Sequence, residues 1–288
     1  MMRFLAFTFV FCLSTTVFSQ EIGYGFKAGL NFNSFNSDSE QDASGKDLES
    51  FTGNTGFHVG AIFTWKATEL MGLRAELLFS QKGGRQRFDG PSYYQFISTD
   101  SLTLEVPGKR DMRLNVTNAY IDIPVMGYYR PLQWLELFAG GNIGFLVSSA
   151  AVGDLKYTPD DTSIPAVDYS LDFNYYTDDP GGVTPSGEFI QINNNFEVAT
   201  LDRAGAYAEF DKDRGNLFKT VDLGLIGGLS LYFNKGLFIS GRVNYGLSDI
   251  TKNKADVSLV KKDANGQFIS QEQKDRNFSI QASIGFSF

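Results

Sequence analysis

Cysteine and histidine are almost missing from this chain: its 288 residues hold one of each. A single cysteine excludes a disulfide framework and a zinc finger, and a single histidine leaves no multi-histidine metal centre. Proline is scarce, at 8 residues, and basic charge is in deficit, with 25 Lys and Arg against 33 Asp and Glu for a net −8. Nucleic-acid binding needs a basic face, so that class of partner is excluded. Beyond the N-terminal segment no stretch approaches the roughly 18 to 20 apolar residues of a membrane helix. Aromatic residues, in contrast, reach 15%, with 27 Phe, and there are 30 Gly, although hydrophobic residues make up only 42%. Aromatic and glycine richness at modest hydrophobicity suits an all-β protein better than a helical enzyme.

Met1-Met2-Arg3 is a short positive opening, Phe4 to Val17 an apolar run, and Ser19 a small residue before a cut. This pattern predicts a signal peptide over 1–19, with cleavage after Ser19 or Gln20 and one domain over 20–288. Cys12 falls inside the leader, behind a Phe11 too bulky for lipidation, so the exported chain is expected to carry no thiol.

From Ile22 onward hydrophobicity alternates with period two. Ile22, Tyr24, Phe26, Ala28, Leu30 and Phe32 are apolar, with Gly23, Gly25, Lys27, Gly29 and Asn31 between them. Similar segments start near Phe57, Leu73, Ile121, Leu135, Val221, Leu237 and Phe278, and the chain ends in the eighth. The face opposite the apolar one holds Lys27, Arg74, Glu76, Asp122, Glu136, Asp222 and Arg242 among glycines. In a soluble sandwich the apolar face is the interior. In a small membrane barrel it meets lipid, and polar side chains fill the bore. The connections support the second reading, because short links alternate with long ones at 34–54, 84–115, 150–217 and 248–275. The expectation is an all-β, eight-stranded antiparallel up-and-down transmembrane β-barrel with long extracellular hairpin loops and both termini on the periplasmic side. Trp65 and Trp134 sit beside short links, where an interfacial aromatic girdle belongs. Within the long links, 169–175, 189–198, 257–260 and 268–270 read as strand pairs rising above the membrane. If those in 150–217 cross it instead, the barrel has ten strands.

Four stretches resemble the PorT-like family of outer-membrane β-barrel proteins of the Bacteroidota. They are Gly25-Phe26-Lys27-Ala28-Gly29-Leu30-Asn31-Phe32, then Leu73 to Gly83 (LRAELLFSQKG), then Tyr120-Ile121-Asp122-Ile123-Pro124-Val125, and lastly Gly246-Leu247 with Arg276-Asn277-Phe278 and the closing strand. Ala75 stands where the family usually has Pro. The resemblance covers the barrel and not the loops. It implies localisation in the outer membrane and, for some members, a place in a secretion machine.

Chemistry-bearing motifs are few. His58 could serve a lipid-modifying hydrolase as general base, but spacing supplies no serine for it, and an interior hydrogen-bonded residue is the plainer reading. Asp160-Asp161 and Asp178-Asp179 read as solvated loop, and 211–216 lacks the ligands of a calcium loop. No catalytic, cofactor or metal residues are assigned. The interior charges are expected to pair into a network that fills the bore. Asp100-Ser101-Leu102 fits a short O-glycosylation pattern of that phylum. Segment 150–217 holds thirteen acids and four bases, a net −9, together with many aromatics. That composition suits a binding surface for an extracellular protein, glycan or cation. The remaining partners are outer-membrane lipid and the barrel-insertion machinery, for which Phe286 and the terminal Phe288 resemble the recognised signal. A non-enzymatic binding or structural role leads; an assembly component, an enzyme or a narrow channel are the alternatives.

Overall fold

The computed structural model describes residues 21–97, 103–192 and 196–288; the expected leader, Asp100-Ser101-Leu102 and Asn193-Asn194 lie outside them. The strands in chain order are β1 (Glu21–Asn36), β2 (Glu49–Thr52), β3 (Asn54–Lys66), β4 (Met71–Ile97), β5 (Thr103–Leu132), β6 (Leu135–Pro159), β7 (Val167–Asn174), β8 (Val183–Ile192), β9 (Phe196–Ala204), β10 (Val221–Tyr232), β11 (Leu237–Gly246), β12 (Val257–Lys262), β13 (Phe268–Ser270) and β14 (Arg276–Ser287). Antiparallel pairing runs β1–β3–β4–β5–β6–β10–β11–β14 and returns from β14 to β1, a ring of eight strands.

Burial around this ring is the reverse of a water-soluble sheet. On β1, Phe26 and Leu30 are 58% and 51% exposed, whereas Lys27 and Asn31 are buried at 2% and 0%. The same holds on β11, where Ile239 and Val243 point out and Arg242 and Asn244 point in. So continuous an apolar exterior would drive aggregation in water; it needs an apolar medium around it.

The ring is shut off at one end by tight links. Asn234 Oδ1 accepts the amides of Gly236 and Leu237 at 2.9 and 2.7 Å, turning β10 into β11. Thr68 Oγ1 similarly accepts the amides of Leu70 and Met71 between β3 and β4.

At the opposite end β4, β5 and β6 do not stop. β4 and β5 stay in register from Met71↔Tyr129 to Ile97↔Thr103. Segment 84–115, expected as a loop, is therefore mostly strand. Its alternation is intact but its polarity is inverted. Phe88, Met112 and Leu114 face in, and Arg85, Arg87 and Arg113 face out. Such an inversion is what a strand needs when its surroundings change from apolar to aqueous. On β6 a bulge helps: Ala119 pairs with Ser148 but Tyr120 with Leu146, leaving Val147 as the extra residue. The inward parity switches there from even (Asn142, Leu146) to odd (Ser149, Ala151, Leu155).

The protruding strands continue into β7, β9 and β8, while β2 pairs with β4 and β12 with β13. The strands inside 150–217 thus belong to this head and not to the ring. Its apolar core includes Phe88, Tyr94, Leu155, Tyr157, Tyr175 and Ile250. Arg110, 2% exposed on β5, binds Glu209 at 2.9 Å and holds the 150–217 segment down. Glu40 in the β1–β2 link accepts the amide of Leu259 and the side-chain amide of Gln271, fastening the β12–β13 hairpin.

Candidate functional site

Inside the ring the charged side chains gather into three ion-pair groups. In the middle, Glu76 Oε2 meets Lys27 at 2.6 Å and Arg242 at 2.7 Å. Towards the tight-turn end, Glu136 meets Arg74 at 2.7 Å and Arg130 at 2.8 Å, and Arg130 lies 4.3 Å from the centre of the Tyr232 ring. Towards the head, Lys82 Nζ lies 2.9 Å from both Asp122 and Asp222. Asn142 and Asn277 donate to the same two carboxylates at 3.2 and 3.0 Å. Lys27, Arg74, Glu76, Asp122, Glu136, Asp222 and Arg242 are each at most 4% exposed. Gly144 makes the last group fit, since a Cβ there would lie 2.5 Å from Asp122 Oδ1 and 3.3 Å from Lys82 Nζ. Interleaved with the charges are two apolar clusters: Met126, Tyr128, Phe138 and Ile226, and Ile62, Tyr232 and Phe238.

His58, fully buried on β3, sits between two partners. Its Nδ1 is 2.6 Å from Asn31 Oδ1 and its Nε2 is 2.7 Å from Ser283 Oγ. Asn31 passes hydrogen bonds on to Ser80 Oγ at 3.1 Å and Gln81 O at 2.8 Å. Gly29 leaves room for the ring, because a Cβ there would come within 2.7 Å of His58 Cε1. Serine, histidine and a third orienting group form the constellation of nucleophilic catalysis. Here the histidine is 0% exposed and the serine 7%, so neither is open to a substrate.

A space large enough for a small ligand lies in the head. A cavity of about 190 Å3 is lined by the inner faces of β4–β7 and by residues from 204–218 and 251–275. Phe35, Phe51, Tyr169, Phe173, Tyr175 and Phe218 supply aromatic walls, with Glu49, Arg110, Glu209, Asp256 and Asp275 as charged members. Tyr175 and Phe218 meet edge to face at 5.0 Å, and Tyr207 OH donates to Tyr175 O at 2.9 Å while accepting from Leu217 N at 3.0 Å. These bonds order a segment whose composition alone is that of a loop.

Residues 18–252 match the family model described as outer membrane protein beta-barrel domain. The chain belongs to this family. Its place is therefore the outer membrane. A sequence search of curated proteins found no match. Among solved structures, the chain is similar to Ail of Yersinia pestis, solved with the heparin analogue sucrose octasulfate. Identity is 12% and the TM-score 0.35, covering 93% of this chain and 99% of that one. Neisserial surface protein A matches at 9% identity and TM-score 0.34, covering 92% and 97%. OprG of Pseudomonas aeruginosa matches at 11% and 0.32, covering 93% and 97%.

In this outer-membrane protein, Trp65 ends β3 and Trp134 lies in the β5–β6 turn, 39% and 53% exposed at the tight-turn end. Phe288 is 76% exposed and packs 4.9 Å from Phe286. Of the acidic loop motifs, Asp161 accepts its own turn's Ser163 amide at 2.9 Å, and Asp178 accepts the amides of Asn174 and Ala206 at 2.8 and 2.7 Å. Asp213 likewise accepts from Gly215 N at 2.6 Å. Asp161 and Asp213 cap their own turns, Asp178 ties its turn to Ala206, and among the described residues no three acids or histidines converge as metal ligands do. Lys82 and Arg130 were missed from the bore. Lys82 continues the even parity of Arg74, Glu76 and Ser80 by one step, so the signal was present.

Glu49 and Asp256 stand out in the head. Burial first, then neighbouring carboxylates, pushes Glu49 up to about 7 and Asp256 up to about 8. Glu40, Asp249 and Asp275 are the carboxylates that face them, and Asp249 is itself paired with Lys219 at 2.6 Å. Folding thus favours the protonated acids. Their contribution to stability is present below the ordinary carboxylate range and is lost as pH rises through about 7 to 8. Amide hydrogen exchange over 249–275, corrected for the intrinsic rate, should be faster at pH 8.5 than at pH 5.5. Equal protection at the two values would remove this coupling.

Proposed function

We propose that the protein is an eight-stranded transmembrane β-barrel with a closed bore, whose extracellular head recognises small ligands. The observation that carries this reading is the aromatic-walled cavity standing above a bore filled with paired charge. Outward apolar residues on β3 run from Phe57 to Trp65. Eight residues of tilted strand rise about 20 Å, close to the apolar band of outer-membrane barrels. The inversion of polarity past Phe79 and Ile121 supplies the upper boundary. Trp65 and Trp134 supply the lower one, on the periplasmic side with the termini. Lipid is the partner of the outward row. The short Asp turns do not build a cation site, so recognition is assigned to the cavity and not to the acidic surface of 150–217. The role is non-enzymatic, because the His58 relay is sealed inside the bore and stiffens the pairing of β1, β3 and β14. Kinship with the PorT-like branch rests on the four sequence stretches in the barrel.

Purified protein in detergent should migrate as a heat-modifiable band and give flat recordings in planar bilayers. A screen of small aromatic molecules should yield saturable thermal shifts, lost in Ala208→Trp, which fills the cavity from its wall. Stepwise conductance, or a chain that stays monomeric without detergent, would overturn the closed-barrel part. A screen without one saturable binder would overturn the recognition part.

A further inference from the structure

The head cavity carries an excess of acid. Four carboxylates border it, Glu49, Glu209, Asp256 and Asp275, against one cation, Arg110. Arg110 and Glu209 neutralise each other at 2.9 Å. The donors to the others are neutral: Gln86 and the Glu40 amide for Glu49, and Thr251 Oγ1 at 2.7 Å for Asp275. Asp256 accepts no side-chain or backbone hydrogen bond at its carboxylate from a described residue. Among the described residues, three acids therefore border an aromatic-walled space without an ion-pair partner of their own.

The chain's own cations show what such walls favour. Lys262 Nζ, paired with Glu105 at 2.6 Å, lies 4.6 Å from the centre of the Tyr93 ring and 4.7 Å from that of Phe268, and Arg214 lies 4.9 Å from Phe268. Tyr93 and Phe268 are themselves cavity walls. Aromatic faces combined with a carboxylate are the chemistry that recognises an ammonium group. A metal ion fits poorly, because the acids do not converge and the remaining walls offer rings in place of oxygens. An anion would meet three like charges, and a neutral molecule would leave the half-buried Asp256 carboxylate without a counter-charge.

We propose that the cavity takes an organic cation, with an ammonium group seated against Asp256 beside Glu49 and Asp275 and an apolar body along the aromatic wall. This assignment rests on the recognition reading of the head. It makes binding proton-linked. Glu49 and Asp256 titrate near 7 and 8 among Glu40, Asp249 and Asp275, with Lys219 occupied by Asp249. A cation binds their ionised forms, so it tightens as pH rises and displaces protons.

The test uses three probes of one shape on the full chain in detergent: phenethylamine, 2-phenylethanol and phenylacetate, titrated calorimetrically. At pH 8.5 the amine should bind at least tenfold tighter than the alcohol, and phenylacetate should not saturate. From pH 8.5 to 5.5 the amine should weaken at least tenfold and the alcohol not at all. Asp256→Asn should lower the amine to the alcohol's affinity while keeping the heat-modifiable band. The wild-type comparison decides even if that variant misfolds. Alcohol or phenylacetate binding as tightly as the amine overturns the cation assignment and leaves recognition standing. Silence from all three also overturns it, and the wider aromatic screen then tells whether recognition itself has failed.

Discussion

Lys82→Met should destabilise the folded protein by about 3–5 kcal/mol, the usual loss when one partner of a buried ion pair is removed. Methionine keeps the length and volume of the side chain but not its charge. Asp122, 0% exposed, and Asp222, 3% exposed, would then share the bore without a cation, Asp122 keeping Asn142 and Asp222 keeping Asn277 and Ser248 as neutral donors. Urea unfolding of protein in detergent, followed by the heat-modifiable band, measures the shift in midpoint. Adding Asp122→Asn and Asp222→Asn to Lys82→Met should recover most of the loss, because neutral amides can hydrogen-bond where two carboxylates repel. A single variant with the wild-type midpoint would show that the group contributes nothing to stability. The other two groups have the opposite composition, with two cations around one acid, so Glu76→Gln or Glu136→Gln should leave an excess of positive charge.

The barrel was legible because its signal is local. Phe26, Ala28 and Leu30 against Lys27 and Asn31 announce an inside and an outside within six residues, and the alternation repeats around the ring. The head was not legible for the same reason. On β4, Phe79 faces out and Phe88 faces in, so a search for one apolar parity ends at Ser80 and loses Lys82 with it. On β6 the extra residue Val147 switches parity in mid-strand. The partners of His58 lie 27 and 225 positions away, and those of Arg110 and Glu209 are 99 apart. Only the closing of the ring and the folding back of 150–217 bring them together. Asp256 and Glu49 show the limit most plainly. Each reads as one more loop acid among the chain's 33 Asp and Glu. What sets them apart is the burial that the head core imposes.

Deleting Phe286 to Phe288 should abolish insertion into the outer membrane. β14 is the strand through which the ring returns to β1, and these residues occupy the end of that seam. Phe286 pairs with Phe26 on one side and Leu237 on the other, and its ring stacks on Phe26 at 6.5 Å. The amide of Ser287 donates to Gly236 O at 3.0 Å and that of Phe288 to Tyr24 O at 2.7 Å. Their loss leaves backbone groups of β1 and of the β10–β11 turn unpaired where the surrounding medium is apolar. That environment does not tolerate an open sheet edge. We propose that the outward aromatic pair, with Phe288 packed on Phe286, is also read by the insertion machinery from the unfolded chain. The two roles separate in a second variant. Phe288→Leu keeps the hydrogen bonds and the apolar row, so folding in detergent should be unchanged. If the terminal ring itself is read, assembly in cells should fall several-fold in that variant. Protease-protected, heat-modifiable protein in isolated outer membranes measures both variants. Wild-type levels in the deletion would show that neither the seam nor the signal depends on these residues.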